Sequence, residues 1–292
     1  MEKILITGAT GNLGRAVIES LLKTIPANQV VALTRDENKA ADLKEKGVEL
    51  RLGDYDDIAS LHNAMAGIGK VLLISGGRAQ NGLEQHQNVV DAAKKAGVKC
   101  IAYTGRCLKD RNTLANQLMK RHFETEDYIK NSGLNYILFR NILYMDAMVL
   151  LLGKDVLDTG INQPAGDGMA SYALRSDMGE AIGNVLANYD CDNRIYDFTN
   201  SETYSFYDVA AALSELSGKS VIYMPVDPDV FLQVAMERGL PDFVANMSLG
   251  FMTDIKNGQE SKVSKDLEII LGRKPASLKE GLKILFNLQY SI

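Results

Sequence analysis

The first fourteen residues constrain this chain more than any other stretch. Lys3 to Thr7 reads as a short apolar strand, and it runs directly into Gly8-Ala-Thr-Gly11-Asn-Leu-Gly14. A turn that holds a pyrophosphate between a buried strand and a helix must bring backbone N–H groups to it, and a side chain at the closest positions would block the approach. Glycine removes that obstacle. Leu13, Ala16, Val17 and Leu21 follow at helical spacing, so strand, turn and helix stand in the order that gives a glycine pattern meaning. The expectation is a dinucleotide cradle made by Gly8, Ala9, Thr10, Gly11, Asn12, Leu13 and Gly14. The plainer alternative is a glycine-rich turn.

The glycines recur three apart twice, GxxGxxG, a spacing that resembles the short-chain dehydrogenase/reductase superfamily and in particular its extended and atypical branches. Choice of cofactor in such a cradle is made at the end of the second strand, where a carboxylate would grip the ribose 2′-OH of NAD. Gln29 to Thr34 is that strand, and Arg35 follows it. A guanidinium matches a 2′-phosphate bidentately, and Lys39, one helical turn on, adds a second charge. NADPH is therefore expected over NADH. Against this stand Asp36, placed to touch a ribose, and the reading of Arg35 as a solvated surface charge.

Strand-like apolar runs continue at Val48 to Leu52, Val71 to Ser75, Cys100 to Thr104 and Tyr136 to Phe139, alternating with amphipathic helical segments. That alternation implies an α/β fold, a doubly wound parallel sheet of the Rossmann type. Ligands bind such sheets beyond the carboxyl ends of the strands. Asp54 and Tyr55 follow the third strand, with Asp54 placed to accept from an adenine amino group. Ser75, Gly76 and Gly77 follow the fourth, where missing side chains would let backbone run along the cofactor. All of these also suit plain turns.

Composition bounds the function classes. The chain has 292 residues, 46% of them hydrophobic and 24% charged, as in an ordinary globular protein. A formal net charge of -5 and the lack of any Lys/Arg run argue against a nucleic-acid partner. Cys100, Cys107 and Cys191 have no metal-ligand spacing, so no metal is expected, and their odd number suits a reducing cytosol. A first core strand at the N-terminus leaves no room for a signal peptide, and no apolar run is long enough to span a membrane. The expected location is cytoplasmic.

Short-chain reductases usually carry a Tyr-x-x-x-Lys pair on the helix after the fifth strand. That helix is expected over Leu114 to Asn131, with Leu118 at the tyrosine position and His122 at the lysine position. Ketone reduction generates an alkoxide, a strong base, so a missing general acid counts against alcohol dehydrogenase or sugar epimerase chemistry. Thr104 stands at the strand end where a Ser/Thr belongs, but alone it is a weak acid. A quinone needs no such acid, because it becomes a phenolate-like anion whose conjugate acid has a pKa of about 10. Its reduction asks mainly for parallel stacking on the nicotinamide. Candidate acceptor contacts are Asn141 and Tyr144, after the sixth strand, with His122 and Thr104 beside them. The alternative for His122 is an ion pair with Glu126, one turn away. His86, on a face with Val89, Val90 and Ala93, reads first as a hydrogen-bonded histidine packed on the sheet.

The runs GATGNLG, TRD, EQHQNVVDAAKKAGVK, YTG, HFETE, LFRN-x-x-YMD, PAGDG-x-x-x-x-x-x-R-x-D and YDFTNSETYSFYDVA follow one another in order. Together they resemble the NmrA-like atypical short-chain reductases, and most closely their bacterial NADPH:quinone oxidoreductases, over nearly the whole chain. The resemblance implies reduction of quinones by NADPH, with the cofactor held by Gly8 to Leu13, Arg35, Ser75 to Gly77 and Asn141 to Tyr144. Gly105 to Lys109 departs from the pattern, carrying two cations near the expected nicotinamide side.

Beyond Asn141 the character changes. Eight of the 11 methionines fall at or after Met145, a composition suited to a pocket for flat apolar molecules, although core filling is the commoner use. Arg175 to about 200 returns to the sheet, ending in a strand at Ile195 to Phe198. The expected domains are therefore 1–142 plus about 175–200 for the dinucleotide, and about 143–174 plus 201–292 as a smaller, discontinuous α/β substrate subdomain. A helical lid is expected from Pro225 to near Asn246, and a flexible crossing loop from Gly250 to Gly258. Two functions stay open: an NADPH-dependent quinone reductase with a small-molecule substrate, working as a homodimer, or a non-catalytic dinucleotide-binding regulator acting through a protein partner.

Overall fold

The computed structural model describes residues 2–76, 81–237 and 239–288; Gly77 lies outside them. The chain forms two compact units. Met1–Arg106, Arg121–Asn141 and Arg175–Asp197 make the first, and Cys107–Lys120, Ile142–Leu174 and Phe198–Ile292 the second. Cys107–Lys120 thus groups with the second unit, whereas the sequence reading ran the first unit unbroken to 142.

The strands are β1 (Lys3–Ile6), β2 (Val30–Thr34), β3 (Glu49–Leu52), β4 (Ile68–Ile74), β5 (Cys100–Arg106), β6 (Asn135–Asn141), the short β7 (Leu143–Tyr144) and β8 (Tyr172–Ala173), and β9 (Arg194–Phe198). The main sheet runs β3-β2-β1-β4-β5-β6-β9, with β1 paired in parallel to both β2 and β4. This is the doubly wound order expected. Val30 to Leu33 and Val71 to Leu73 are buried throughout, the mark of strands covered on both faces.

The helices of the first unit are α1 (Asn12–Leu21), α2 (Ala41–Glu45), α3 (Ile58–Ala64), α4 (Gly82–Lys95) and α5 (Lys120–Asn131), followed, after α6 (Met148–Leu152) and α7 (Val156–Thr159) of the second, by α8 (Arg175–Asn188). Two glycines let α8 lie close on α1: a Cβ at Gly179 would fall 2.4 Å from the Ala16 Cβ, and one at Gly183 would fall 2.5 Å from that of Ser20. The segment that returns from the second unit is thereby locked to the first helix of the chain.

The second unit adds α9 (Phe206–Ser217), α10 (Pro228–Glu237), α11 (Asp242–Lys256), α12 (Asp266–Leu271) and α13 (Leu278–Leu285). Its core gathers Met145, Met148, Phe206, Leu213, Met252 and Leu282, so these methionines fill space in an interior. Three expectations are corrected here. The helix after β5 starts at Lys120 rather than Leu114, because the buried carboxylate of Asp254 accepts the Ala115 and Asn116 N–H groups at 2.7 and 3.1 Å and takes them out of helical register. The segment expected as a helical lid is two helices, broken at Gly239, whose φ is +79°, and at Pro241. Gly250 to Lys256 is the end of α11, with Met252, Asp254 and Ile255 buried, rather than a crossing loop.

Cys100, at the start of β5, is joined to Cys191, between α8 and β9, and Cys107 is buried and outside any disulfide. The odd cysteine count, read as suiting a reducing cytosol, conceals a pair, because partners 91 residues apart share no local pattern. Among the described residues no helix is long and apolar enough to cross a membrane. Closing so long a loop removes disorder from the unfolded chain, a stabilisation of about 2–5 kcal/mol. Titration of the denatured protein is expected to find one thiol, rising to three after reduction, and reduction should lower the melting temperature by several degrees. Three thiols without reductant would disprove the bond.

Candidate active site

The site is built at the carboxyl edge of the main sheet, within the first unit. Gly8 follows β1 with φ +57°, a conformation that strains any other L-residue, and an added Cβ would press on Ile74 at 3.3 Å. Gly14 serves packing: its Cβ would stand 2.3 Å from the Gly8 carbonyl oxygen, so only glycine lets α1 start against the turn. Gly11 is the N-cap of α1, has no side chain to cap with, and meets only the Gly8 oxygen at 3.3 Å where its Cβ would be. Gly8, Gly11 and Asn12 are exposed, Thr10 is half-buried, and Ala9, Leu13 and Gly14 are buried. No acid stands in the first turn of α1. An open glycine face over an uncapped helix N-terminus suits an anion such as a pyrophosphate.

Beyond β2 the Arg35 guanidinium stands 79% exposed, 3.7 Å from the Asp54 carboxylate. Asp36 does not turn toward a ribose: its side chain accepts the Asn38 N–H at 3.0 Å and caps a short helical turn. Lys39 is exposed in that turn, and its carbonyl accepts from Arg15 at 2.7 Å. Arg15 also donates to the Thr10 carbonyl at 3.2 Å and pairs with Asp42, tying the glycine turn to the segment after β2. Sequence reasoning passed over Arg15; its one signal was a cation in the first turn of a helix, where the helix dipole disfavours it.

Tyr55 braces the sheet. Its hydroxyl donates to the Thr7 hydroxyl and lies 3.0 Å from the Ile74 carbonyl, and Thr7 accepts the Ile74 N–H at 2.9 Å. Burial pushes its phenol well above the ordinary range. Thr104 is another tie: buried, it accepts the Ser75 N–H at 3.0 Å and so sets the backbone that enters Ser75 and Gly76. The Gly76 carbonyl accepts from Arg121 at 3.0 Å. Asn141 ends β6, fully buried, level with Arg106 on β5. Tyr144 belongs to the second unit, half-buried in β7 and paired in register with Ala173.

His122 does not pair with Glu126. That carboxylate, 2% exposed, takes a two-pronged bond from Arg140 at 2.9 and 2.6 Å, with Lys130 at 3.5 Å. The His122 ring meets the Tyr103 hydroxyl through Nδ1 at 2.8 Å instead. Burial, then the Arg106 and Arg121 cations, hold its imidazole well below the usual histidine range. His86 is buried on α4, its Nδ1 2.8 Å from the Thr125 hydroxyl and its ring edge-on to Tyr103. It is the packed, hydrogen-bonded histidine expected, and burial pulls its pKa down to about 4.

A parallel sheet in dinucleotide-binding order, with a glycine cradle at its carboxyl edge, defines an α/β protein of the Rossmann class. Residues 1–284 match the NmrA-like family, and the chain belongs to it. It is 37% identical over 286 residues to Escherichia coli quinone oxidoreductase 2, covering 98% of this chain and 99% of that protein. The structure of the Escherichia coli NADPH-dependent quinone oxidoreductase complexed with NADPH matches with a TM-score of 0.92 at 36% identity, over 97% of this chain and all of that one. Citrobacter sp. triphenylmethane reductase matches with the same score and identity, over 98% of this chain and 100% of its own.

His86 contributes to the acid sensitivity of the first unit. Its pKa is about 4 folded against 6.5 in a free side chain, so the unfolded chain binds the proton first. The contribution is whole above pH 6.5 and is lost as pH falls toward 4, on the order of 3 kcal/mol. Urea midpoints at pH 7 and pH 4.5 should differ by less in His86→Leu than in the unaltered protein.

Proposed function

We infer that this protein is an NADPH-dependent oxidoreductase that passes a hydride to a quinone or a similar flat conjugated acceptor. The observation that carries the reading is the full-length match to a quinone oxidoreductase, joined to a cradle and a strand-end arginine that suit NADPH. In this reading Gly8 to Gly14 receive the pyrophosphate on backbone N–H groups. Arg35 and Lys39 receive the 2′-phosphate, Asp54 the adenine edge, and Ser75 and Gly76 the backbone side of the cofactor. Tyr55 and Thr104 act through the strands they brace.

When bound, NADPH supplies the hydride. The quinone takes that hydride to become a hydroquinone monoanion, and its phenolate-like oxygen then takes one proton from water. His122, held neutral, serves as a hydrogen-bond donor rather than as the acid, and Asn141 orients an acceptor oxygen. Tyr144 is proposed as a further acceptor contact. A homodimer and a cytoplasmic location belong to the same reading, the location standing against the Cys100–Cys191 bond, and the absence of a nucleic-acid partner rests on the net charge of -5. No observation on the molecule favours the regulator.

The direct test follows NADPH oxidation with a panel of simple quinones, NADH and a no-acceptor blank. Rapid quinone-dependent oxidation with NADPH preferred supports the reading, and tight NADPH binding without turnover overturns it. Arg35→Ala is expected to reduce the NADPH-over-NADH affinity ratio by about tenfold, the low end for a charge-assisted contact because Arg35 is 79% exposed. An unchanged ratio would sink that assignment. With His122 neutral, kcat should stay level from pH 6 to 8, and a decline centred near 6.5 would make it an acid after all.

A further inference from the structure

His122 and Tyr103 form a buried pair whose chemistry goes beyond the family pattern of a tyrosine and a lysine on one helix. Tyr103 lies in β5 and is fully buried, and His122 lies in the first turn of α5, 6% exposed. Strand alternation sends neighbouring side chains to opposite faces of the sheet, so Thr104 and Tyr103 serve different partners: one accepts the Ser75 N–H, the other meets His122. Gly105 leaves space for the ring, since a Cβ there would stand 3.3 Å from Tyr103 Cε1 and 3.2 Å from the Glu126 carboxylate.

Hydrogens are assigned from chemistry. A phenol O–H, with a pKa near 10, is a far better donor than the N–H of a neutral imidazole, and the bare imidazole nitrogen is a better acceptor than a phenol oxygen. The 2.8 Å contact is therefore a Tyr103 O–H donating to His122 Nδ1. That leaves the proton of the neutral ring on Nε2. Burial and the Arg106 and Arg121 cations keep the ring neutral, so a tautomer exists to be chosen.

We propose that Tyr103 is a positioning residue for the acceptor site: its hydroxyl holds His122 as the Nε2–H tautomer, presenting a fixed hydrogen-bond donor to the quinone oxygen on which charge develops. A tautomer with the proton on Nδ1 would offer that oxygen a lone pair and repel it. Preorganised donors of this kind act because they need no reorientation as charge appears. No proton leaves the imidazole in this role, since a neutral ring is a weaker acid than the hydroquinone. The proposal rests on the quinone reading for its kinetic consequence, and on the Tyr103–His122 contact alone for its tautomer.

The test has a spectroscopic arm and a kinetic arm. The chain holds three histidines, so the long-range 1H–15N correlation spectrum of labelled protein carries three ring systems, with His122 identified by its loss in His122→Gln. His122 should show a pyridine-like Nδ1 and a pyrrole-like Nε2, and Tyr103→Phe should convert this to a mixture. In the kinetic arm Tyr103→Phe should lower kcat for quinone three- to tenfold while the KM for NADPH stays within twofold. His122→Gln, whose amide puts an N–H where Nε2 stood, should keep more of kcat than His122→Asn. A proton on Nδ1 in the unaltered protein, or an unchanged kcat in Tyr103→Phe, overturns the proposal. If Tyr103→Phe does not fold, the order of the two His122 variants decides. If the unaltered protein turns over no quinone, the functional reading fails while the spectrum still decides the tautomer.

Discussion

The site depends on one close approach. Gly14 lets α1 begin against the carbonyl of Gly8, with no Cβ to hold the two apart. That contact presents the amides at the start of α1 to whatever lies over the turn, and it fixes the line of the helix. α8 then settles on α1 through Gly179 and Gly183, which places the returning segment and the strand that follows it. A methyl group at position 14 would disturb both the cradle and the seating of α8, so a residue that touches no ligand in this scheme governs the ligand bed.

A second layer of order is polar. Thr7, Tyr55 and the Ile74 backbone lock β1, β4 and the loop after β3, while Thr104 locks β5 to the segment after β4. These bonds lie at the strand ends, where the ladder stops and backbone groups would otherwise look for partners. They make the carboxyl edge rigid without spending a glycine or a charge, and they explain why several residues that resemble ligand contacts in sequence are spent on the scaffold.

Much of this was legible in sequence wherever the determinant is local. The strands of the sheet and the cradle follow from apolar runs and glycine spacing, and each was placed within a few residues. Distant partners left no such trace. The start of α5 is set by Asp254, the cysteine pair joins residues 91 apart, and Arg15 works through backbone carbonyls of the turn and of Lys39. Gly250 to Gly258 looked like a loop because its two glycines bracket it, yet burial of Met252, Asp254 and Ile255 holds most of it helical. The candidate site was half legible: residue types pointed to the carboxyl edge of the sheet, but which hydroxyls brace it and which imidazole meets a tyrosine depends on contacts across strands and helices.

Asp254 also has a meaning for how the chain comes to be folded. It caps Ala115 and Asn116 from 139 and 138 residues further along, and Gln259 accepts the Lys109 N–H at 3.1 Å through its carbonyl. On a ribosome the linker between β5 and α5 emerges long before either anchor exists. The linker therefore stays unsettled until α11 is made, and a chain truncated before α11 would carry an intact glycine turn but a segment after β5 without its anchors.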